Sequence, residues 1–284
     1  MITPFCSPAE VGRLLDSGRD VVLADCRWYL DGRSGREAYL AGHLPGAVFV
    51  DLDADLAGPV DATSGRHPLP TPEDFARTRA RLGMGPDAVV IGYDDAGGVI
   101  AARLVWMLRA IGVDAAVLEG GLSGWQASAS TRAAEPRSVE SQRAQSQRVE
   151  PQPWPADVLA DIDAVGDPSA VVLDARPRER YRGEGDDVDP RSGHIPGARN
   201  LPCRENLDTD DRLLPSSVLS DRLDEIGVTR AKINAGEVIS SCGSGVTACH
   251  SLLVIEQLGL GRARLYPGSW SQYAATDRPI ATGE

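Results

Sequence analysis

One heptapeptide occurs twice in this chain. Ala41-Gly42-His43-Leu44-Pro45-Gly46-Ala47 returns as Ser192-Gly193-His194-Ile195-Pro196-Gly197-Ala198. The segments around it repeat in the same order. Val21-Val22-Leu23-Ala24-Asp25 precedes the first copy and Val171-Val172-Leu173-Asp174 the second. After them, Ala88–Tyr93 is answered by Glu237–Ser241, and Leu118–Leu122 by Leu265–Trp270. Self-similarity in a fixed order is the mark of repeated architecture. The chain must therefore fold as two copies of one plan.

The plan is α/β. The apolar runs are short and continuous rather than alternating, as in strands buried on both faces of a parallel sheet. Helices fall between them. Ser7-Pro8-Ala9-Glu10 reads as a capping box with proline at the first helical position. Thr71-Pro72-Glu73-Asp74 opens a second helix, ending near Gly83. Val99 to Ile111, Ser217 to Ile226 and Val246 to Leu258 each stop at a glycine. Strands alternating with helices predict a mainly parallel sheet in each copy. The expected division is residues 1–127, a linker over 128–155 rich in Ser, Gln, Arg, Glu and Pro, and residues 156–284. A second polar excursion, Arg182 to Ser192, interrupts the second copy.

Composition narrows the chemistry. Of 284 residues, 42% are hydrophobic and 25% charged, which fits a globular protein and excludes disorder of the whole chain. The net charge of −12 repels nucleic acid and anionic membrane unless a local basic patch overrides it. An anionic substrate would need a site that gathers its own positive potential. No apolar run is long enough to span a bilayer, and MITPFCSPAE has neither a basic n-region nor an apolar h-region, so no signal peptide is read. Lys232 is the sole lysine, so there is no P-loop, and a Schiff-base enzyme would have to rest on Lys232. The five cysteines are odd in number and lack C-x-x-C spacing, which predicts reduced thiols in a cytoplasm and no metal site.

Comparing the two copies isolates one nucleophile. In the second, the strand ending at Ser241 runs into Cys242-Gly243-Ser244-Gly245-Val246-Thr247 and a helix. In the first, the equivalent position holds Asp94 or Asp95, depending on where a gap is placed. Cys242 thus stands at the carboxyl end of a parallel strand, where α/β sheets receive ligands. The glycines let the backbone curl so that N–H groups of residues 243–247 point inward as an anion nest, with the following helix adding its positive end. Both favour a thiolate and depress its pKa.

On these residues the chain resembles the tandem-domain rhodanese-like sulfurtransferases, the family of thiosulfate and 3-mercaptopyruvate sulfurtransferases. The resemblance spans nearly the whole chain and rests on the duplication, the Gly-His-x-Pro-Gly-Ala segments, the Cys242–Thr247 loop and Gly268-Ser269-Trp270. It implies a catalytically silent first copy, no cofactor, and a persulfide relay. Cys242 would take the outer sulfur of a small anionic donor and pass it to a thiophilic acceptor, cyanide or a thiol, a thioredoxin-like protein among the candidates. Thiosulfate-preferring members resemble Cys-Arg-Lys-Gly-Val-Thr. The uncharged loop here is similar to the mercaptopyruvate type, whose Gly243, Gly245, Val246 and Thr247 would line the substrate. Arg180-Tyr181-Arg182-Gly183 and Asp189-Pro190-Arg191 resemble the family's Arg-Phe-Arg-Gly and Glu-Pro-Arg, so Arg180 and Arg191 would clamp the keto acid's carboxylate, although the stretch between them is longer than the pattern. The mercaptopyruvate type also implies a Ser-His-Asp set across the domain interface, which maps to Ser244, His67 and Asp53 and would help protonate the departing enolate.

Other residues read as structural. His43 and His194 occur in both copies, as do Asp25 and Asp174, which suits turn and strand-end hydrogen bonding better than catalysis. His250 and Cys249 lie on the helix after the loop and suit packing, with a resolving role for Cys249 left open. Cys6, Cys26 and Cys203 have no chemical context. Two rival readings remain. A Cys-x5-Arg phosphatase would need arginine where Ala248 stands, in a loop one residue longer. A non-catalytic module using the fold for binding or sulfur carriage is separated by whether Cys242 turns over.

Overall fold

Both acid-terminated apolar runs become inner strands of parallel sheets. The computed structural model of the chain describes residues 1–128, 148–184 and 188–284. Its first sheet holds β1 (Phe5–Cys6), β2 (Val21–Asp25), β3 (Val48–Phe49), β4 (Val89–Tyr93) and β5 (Ala115–Leu118), in the spatial order β1-β5-β4-β2-β3. The second holds β6 (Val171–Asp174), β7 (Arg199–Asn200), β8 (Val238–Ser241) and β9 (Arg264–Leu265), in the order β7-β6-β8-β9. All these pairings are parallel. With β1 set aside, the two orders are the same. The α/β plan read from the apolar runs is the observed one.

The chain groups into two compact units. One comprises Met1–Gly58, Pro70–Trp154 and Thr209–Arg212; the other comprises Pro59–Leu69, Pro155–Asp208 and Leu213–Glu284. This grouping differs from a simple division at residues 127 and 156, because residues 59–69 belong with the second unit and residues 209–212 with the first. Residues 129–147 of the expected linker, and 185–187 of the polar excursion, lie outside the described residues.

Local signals set the helix ends. Ser7 and Glu10 form the reciprocal capping box at the head of the helix Pro8–Asp16, and Thr71 caps the helix Pro72–Arg81. The helix after β4 is Ala101–Ala110, shorter than the expected span and buried at every position. Arg103 and Arg109 are tolerated within it because their guanidiniums donate to carbonyls, Arg109 to Ile2 and Ala115 at 2.8 Å. The helix after β8 is Ala248–Gln257 and begins later than the apolar stripe, because residues 242–247 form a loop in which Gly245 has φ +77°.

The repeated heptapeptide closes an identical clamp in each unit. Asp25 takes a forked ion pair from Arg27, whose Nη2 also donates to Gly42 O at 2.6 Å. Asp174 and Arg176 do the same with Gly193 O at 2.7 Å. Within each copy an aromatic ring stacks on the histidine, Tyr39 on His43 at 4.0 Å and Tyr181 on His194 at 3.7 Å between centroids. Each tyrosine hydroxyl donates to the alanine carbonyl that ends the motif, Ala47 or Ala198. Buried charges survive here because both partners are paired and the guanidinium Nη2 also reaches a carbonyl; removing one partner of such a pair costs roughly 3–5 kcal/mol. The histidines fix the turn through Nδ1 to Tyr39 O and Tyr181 O, each at 2.8 Å. Arg176 further lies over the buried Trp270 ring at 4.8 Å, joining the clamp to the second core of Val172, Ile195, Ile239 and Tyr266.

Candidate active site

The register of the two sheets resolves which aspartate answers the cysteine. Tyr93 pairs with Asp25 in the first sheet, and Ser241 with Asp174 in the second. Asp94 and Cys242 are the next residues, so Asp94 is the counterpart. In the first unit the buried Asp94 carboxylate receives four backbone N–H groups, from Ala96, Gly98, Ile100 and Ala101 at 2.7–2.9 Å. The loop that would nest an anion there already holds one. Burial outweighs those donors and raises the carboxyl above its ordinary value.

In the second unit the loop holds a thiol. Gly245 N–H is directed at Cys242 Sγ at 3.2 Å. That requires Gly245 to take a left-handed backbone, and a Cβ there would also stand 2.5 Å from Pro267 O. The helix Ser269–Tyr273 then fastens the outer side of the loop: Trp270 N–H donates to Cys242 O and Ser271 N–H to Gly243 O, both at 2.9 Å. Cys242 N–H donates to Ser269 Oγ at 3.1 Å, and Ser269 is held at φ +50°, a costly conformation for a residue with a side chain. The loop is therefore held from beneath by β8 and from one flank by the tail segment. Val246 is buried and Thr247 half-buried at the start of the helix Ala248–Gln257.

Two expected partners meet. His67 Nδ1 and Ser244 Oγ are 2.7 Å apart, both buried, on segments far apart in sequence but in the same unit. Asp53, the third residue of that expected set, belongs to the first unit, on the short helix Leu52–Asp55, where it accepts from Trp28 Nε1 at 3.1 Å.

The two expected arginines separate. Arg180 lies beside the loop: a Cβ on Gly243 would be 3.6 Å from its Nη1. Its Nη2 pairs with the buried Asp189 at 3.3 Å. Arg191 is engaged elsewhere. Its guanidinium donates to the carbonyls of Ala274 at 2.9 Å, Arg278 at 3.0 Å, Tyr273 at 3.3 Å and Thr276, tying down the turn after the helix Ser269–Tyr273. Every guanidinium nitrogen of Arg191 thus serves a main-chain oxygen. Of the motif Asp189-Pro190-Arg191, it is the aspartate that faces the site.

Reading the sequence missed Arg66, Asp189, Ser269 and Ser271. Arg66 pairs with Asp189 from the side opposite Arg180, and its N–H donates to Ser271 Oγ at 3.0 Å. Nothing in the string signals this, because Arg66 is only the neighbour of a motif histidine. Cys203, read as having no context, has Thr247 as a hydrogen-bonding neighbour. Burial, with Cys242 nearby, pushes its thiol up to about 12, far from nucleophilic range. Cys249 donates to Gly245 O at 3.4 Å from a fully buried position. None of the five cysteines forms a disulfide. Among the described residues, no group of three or more His, Cys, Asp or Glu is arranged to hold a metal ion, and no helix is long and apolar enough to cross a membrane.

Comparison with known proteins agrees with the duplication. The family described as "Rhodanese-like domain" matches twice, over residues 7–128 and 157–276. A Pseudomonas aeruginosa protein designated a probable 3-mercaptopyruvate sulfurtransferase is 38% identical, the match covering 93% of each chain. The Escherichia coli K12 3-mercaptopyruvate sulfurtransferase is 36% identical over 92% of each chain. The crystal structure of SseA from Escherichia coli, described as showing the rhodanese fold of 3-mercaptopyruvate sulfotransferases, superposes with a TM-score of 0.76 at 32% identity, covering 95% of this chain and 100% of that one.

Proposed function

We propose how Cys242 works in a chain that belongs to the rhodanese-like domain family and is a sulfurtransferase of two tandem copies: it carries a sulfane sulfur as a persulfide between a small anionic donor and a thiophilic acceptor. The observation that carries this reading is the Gly245 N–H aimed at Sγ from a loop at the carboxyl end of β8. A main-chain donor at that distance stabilises a thiolate, and equally the terminal sulfur of a persulfide anion.

With 3-mercaptopyruvate, the thiolate of Cys242 attacks the substrate sulfur. An S–S bond forms, the substrate C–S bond breaks, and its electron pair leaves as the enolate of pyruvate. The substrate thiol proton is released as the persulfide anion forms, and the enolate carbon takes up one proton, so the half-reaction balances. Ser244 Oγ, hydrogen-bonded to His67, supplies a route for it, with His67 restoring the serine proton. With thiosulfate, the same attack releases sulfite, which leaves as a stable anion and needs no proton. The paired serine and histidine, with an uncharged loop, therefore favour the keto acid. Arg180 beside Gly243 holds its carboxylate. In the second half-reaction, cyanide or a thiol takes the outer sulfur and the Cys242 thiolate is regenerated. A protein thiol of the thioredoxin type fits that acceptor role. The first copy is silent, because Asp94 stands where the nucleophile would be.

The test is Cys242→Ser. It should abolish sulfur transfer from both donors and persulfide formation seen by intact mass, with the circular dichroism spectrum unchanged. Wild-type turnover in that variant would overturn the assignment and favour the non-catalytic reading of the fold.

A further inference from the structure

We propose that Arg66 is a second anion-binding arm of this site and that it governs how much negative charge the donor can carry. The inference rests on the sulfur-transfer reading above and names a residue that reading does not use.

The main chain around Arg66 is built to hold it still. A Cβ on Gly65 would stand 2.4 Å from Gly268 O and 2.8 Å from Ser271 Oγ, so only glycine lets the segment lie flush against the tail. Gln272 Nε2 donates to Thr63 O at 2.6 Å, and Arg66 N–H to Ser271 Oγ at 3.0 Å. Pinned on both sides, the Arg66 side chain extends over the loop. Its Nη2 is 3.1 Å from where a Cβ on Gly243 would be, closer than either terminal nitrogen of Arg180. Gly243 follows the nucleophile directly, and a larger residue there would displace the guanidinium.

Asp189 sets the orientation and the charge. Its carboxylate is 2% exposed and takes an ion pair from each arginine, while Arg66 keeps 30% of its side chain open and Arg180 17%. Asp189 thus holds two guanidiniums beside the nucleophile. Guanidinium forks match the oxygens of a carboxylate or of a sulfonate-like group. Without Arg66 one positive charge beside the nucleophile is lost. The electrostatic attraction lost scales with the charge of the ligand, so a dianion should lose the square of the factor that a monoanion loses. A loss of about tenfold for 3-mercaptopyruvate thus implies roughly a hundredfold for thiosulfate.

The experiment measures kcat and KM for both donors in wild type, Arg66→Ala and Arg66→Lys. Arg66→Ala should lower kcat/KM mainly through KM, about tenfold for the keto acid and about a hundredfold for thiosulfate, and Arg66→Lys should recover most of the thiosulfate loss by restoring the charge. The circular dichroism spectrum of Arg66→Ala should match that of wild type, because main-chain hydrogen bonds keep the loop assembled. Equal losses for both donors, a fall in kcat with KM unchanged, or no recovery in Arg66→Lys would each reduce Arg66 to a packing residue and overturn the proposal. Turnover surviving in Cys242→Ser would instead overturn the reading beneath it.

Discussion

Asp94 and Cys242 occupy the same place in two copies of one sheet, one residue past the strand pairs Asp25–Tyr93 and Asp174–Ser241. One copy fills its loop with a fixed carboxylate that takes four N–H groups; the other presents a thiol with Gly245 N–H turned toward it. The same backbone geometry thus holds a carboxylate in one unit and, on the function proposed above, the nucleophile in the other. Asp94→Ala should leave four buried donors without their acceptor, each costing on the order of 1 kcal/mol or more, so a loss of about 3–5 kcal/mol is expected. Chemical denaturation should report that loss, while kcat/KM measured below the unfolding range stays within about twofold. A stable variant would mean that water replaces the carboxylate; a variant with its activity gone but its stability intact would mean that the first copy is not silent.

Ser244 gives a prediction that depends on the donor. Its hydrogen bond to His67 matters only where a carbanion must be protonated. Ser244→Ala should therefore reduce turnover of 3-mercaptopyruvate by about a hundredfold, the low end of what a positioned proton donor contributes, and should leave thiosulfate turnover nearly unchanged. His67→Gln should behave alike. A parallel loss for both donors would show that the pair shapes the loop rather than moving a proton.

Arg191 and Arg180 should part company on substitution. Arg191→Ala removes a guanidinium bound to four carbonyls around residues 273–278, so a loss of stability of about 3 kcal/mol is expected with KM for the keto acid little changed. Arg180→Ala should do the reverse, raising KM with a small effect on the melting temperature. If Arg191→Ala raises KM while the fold keeps its stability, the arginine reaches the substrate despite its carbonyl partners.

These contrasts show what the string of residues could carry. The sheet pattern was legible because Val21–Asp25 and Val171–Asp174 are buried on both faces and so lack alternation. Cys242 stood out as the candidate nucleophile because it and Asp94 differ at one position of a repeat. The partners of Arg191 were not legible, because a motif match identifies residue types and not the direction of a side chain; the turn at 273–278 that it serves is invisible until the chain is folded. Arg66 and Asp189 were not legible at all. Their pairing brings together positions far apart in sequence, and its cause is the absence of a side chain at Gly65, which lets two backbones touch.

His250 makes stability depend on pH. It is fully buried on the helix Ala248–Gln257, and burial, with the Arg204 charge nearby, lowers its pKa to about 3. In the folded chain it stays neutral to that value; in the unfolded chain it takes up a proton near its ordinary 6.5. Below 6.5 the unfolded state therefore binds the extra proton, and stability falls as pH falls, by roughly 1.4 kcal/mol per unit until about pH 3. Between pH 6.5 and pH 5 this one residue should remove roughly 2 kcal/mol. His250→Leu keeps a side chain of moderate size and cannot titrate. Urea unfolding of both proteins at the two pH values should show the wild type losing that much more than the variant over the interval, and equal losses would mean that His250 takes its proton without unfolding.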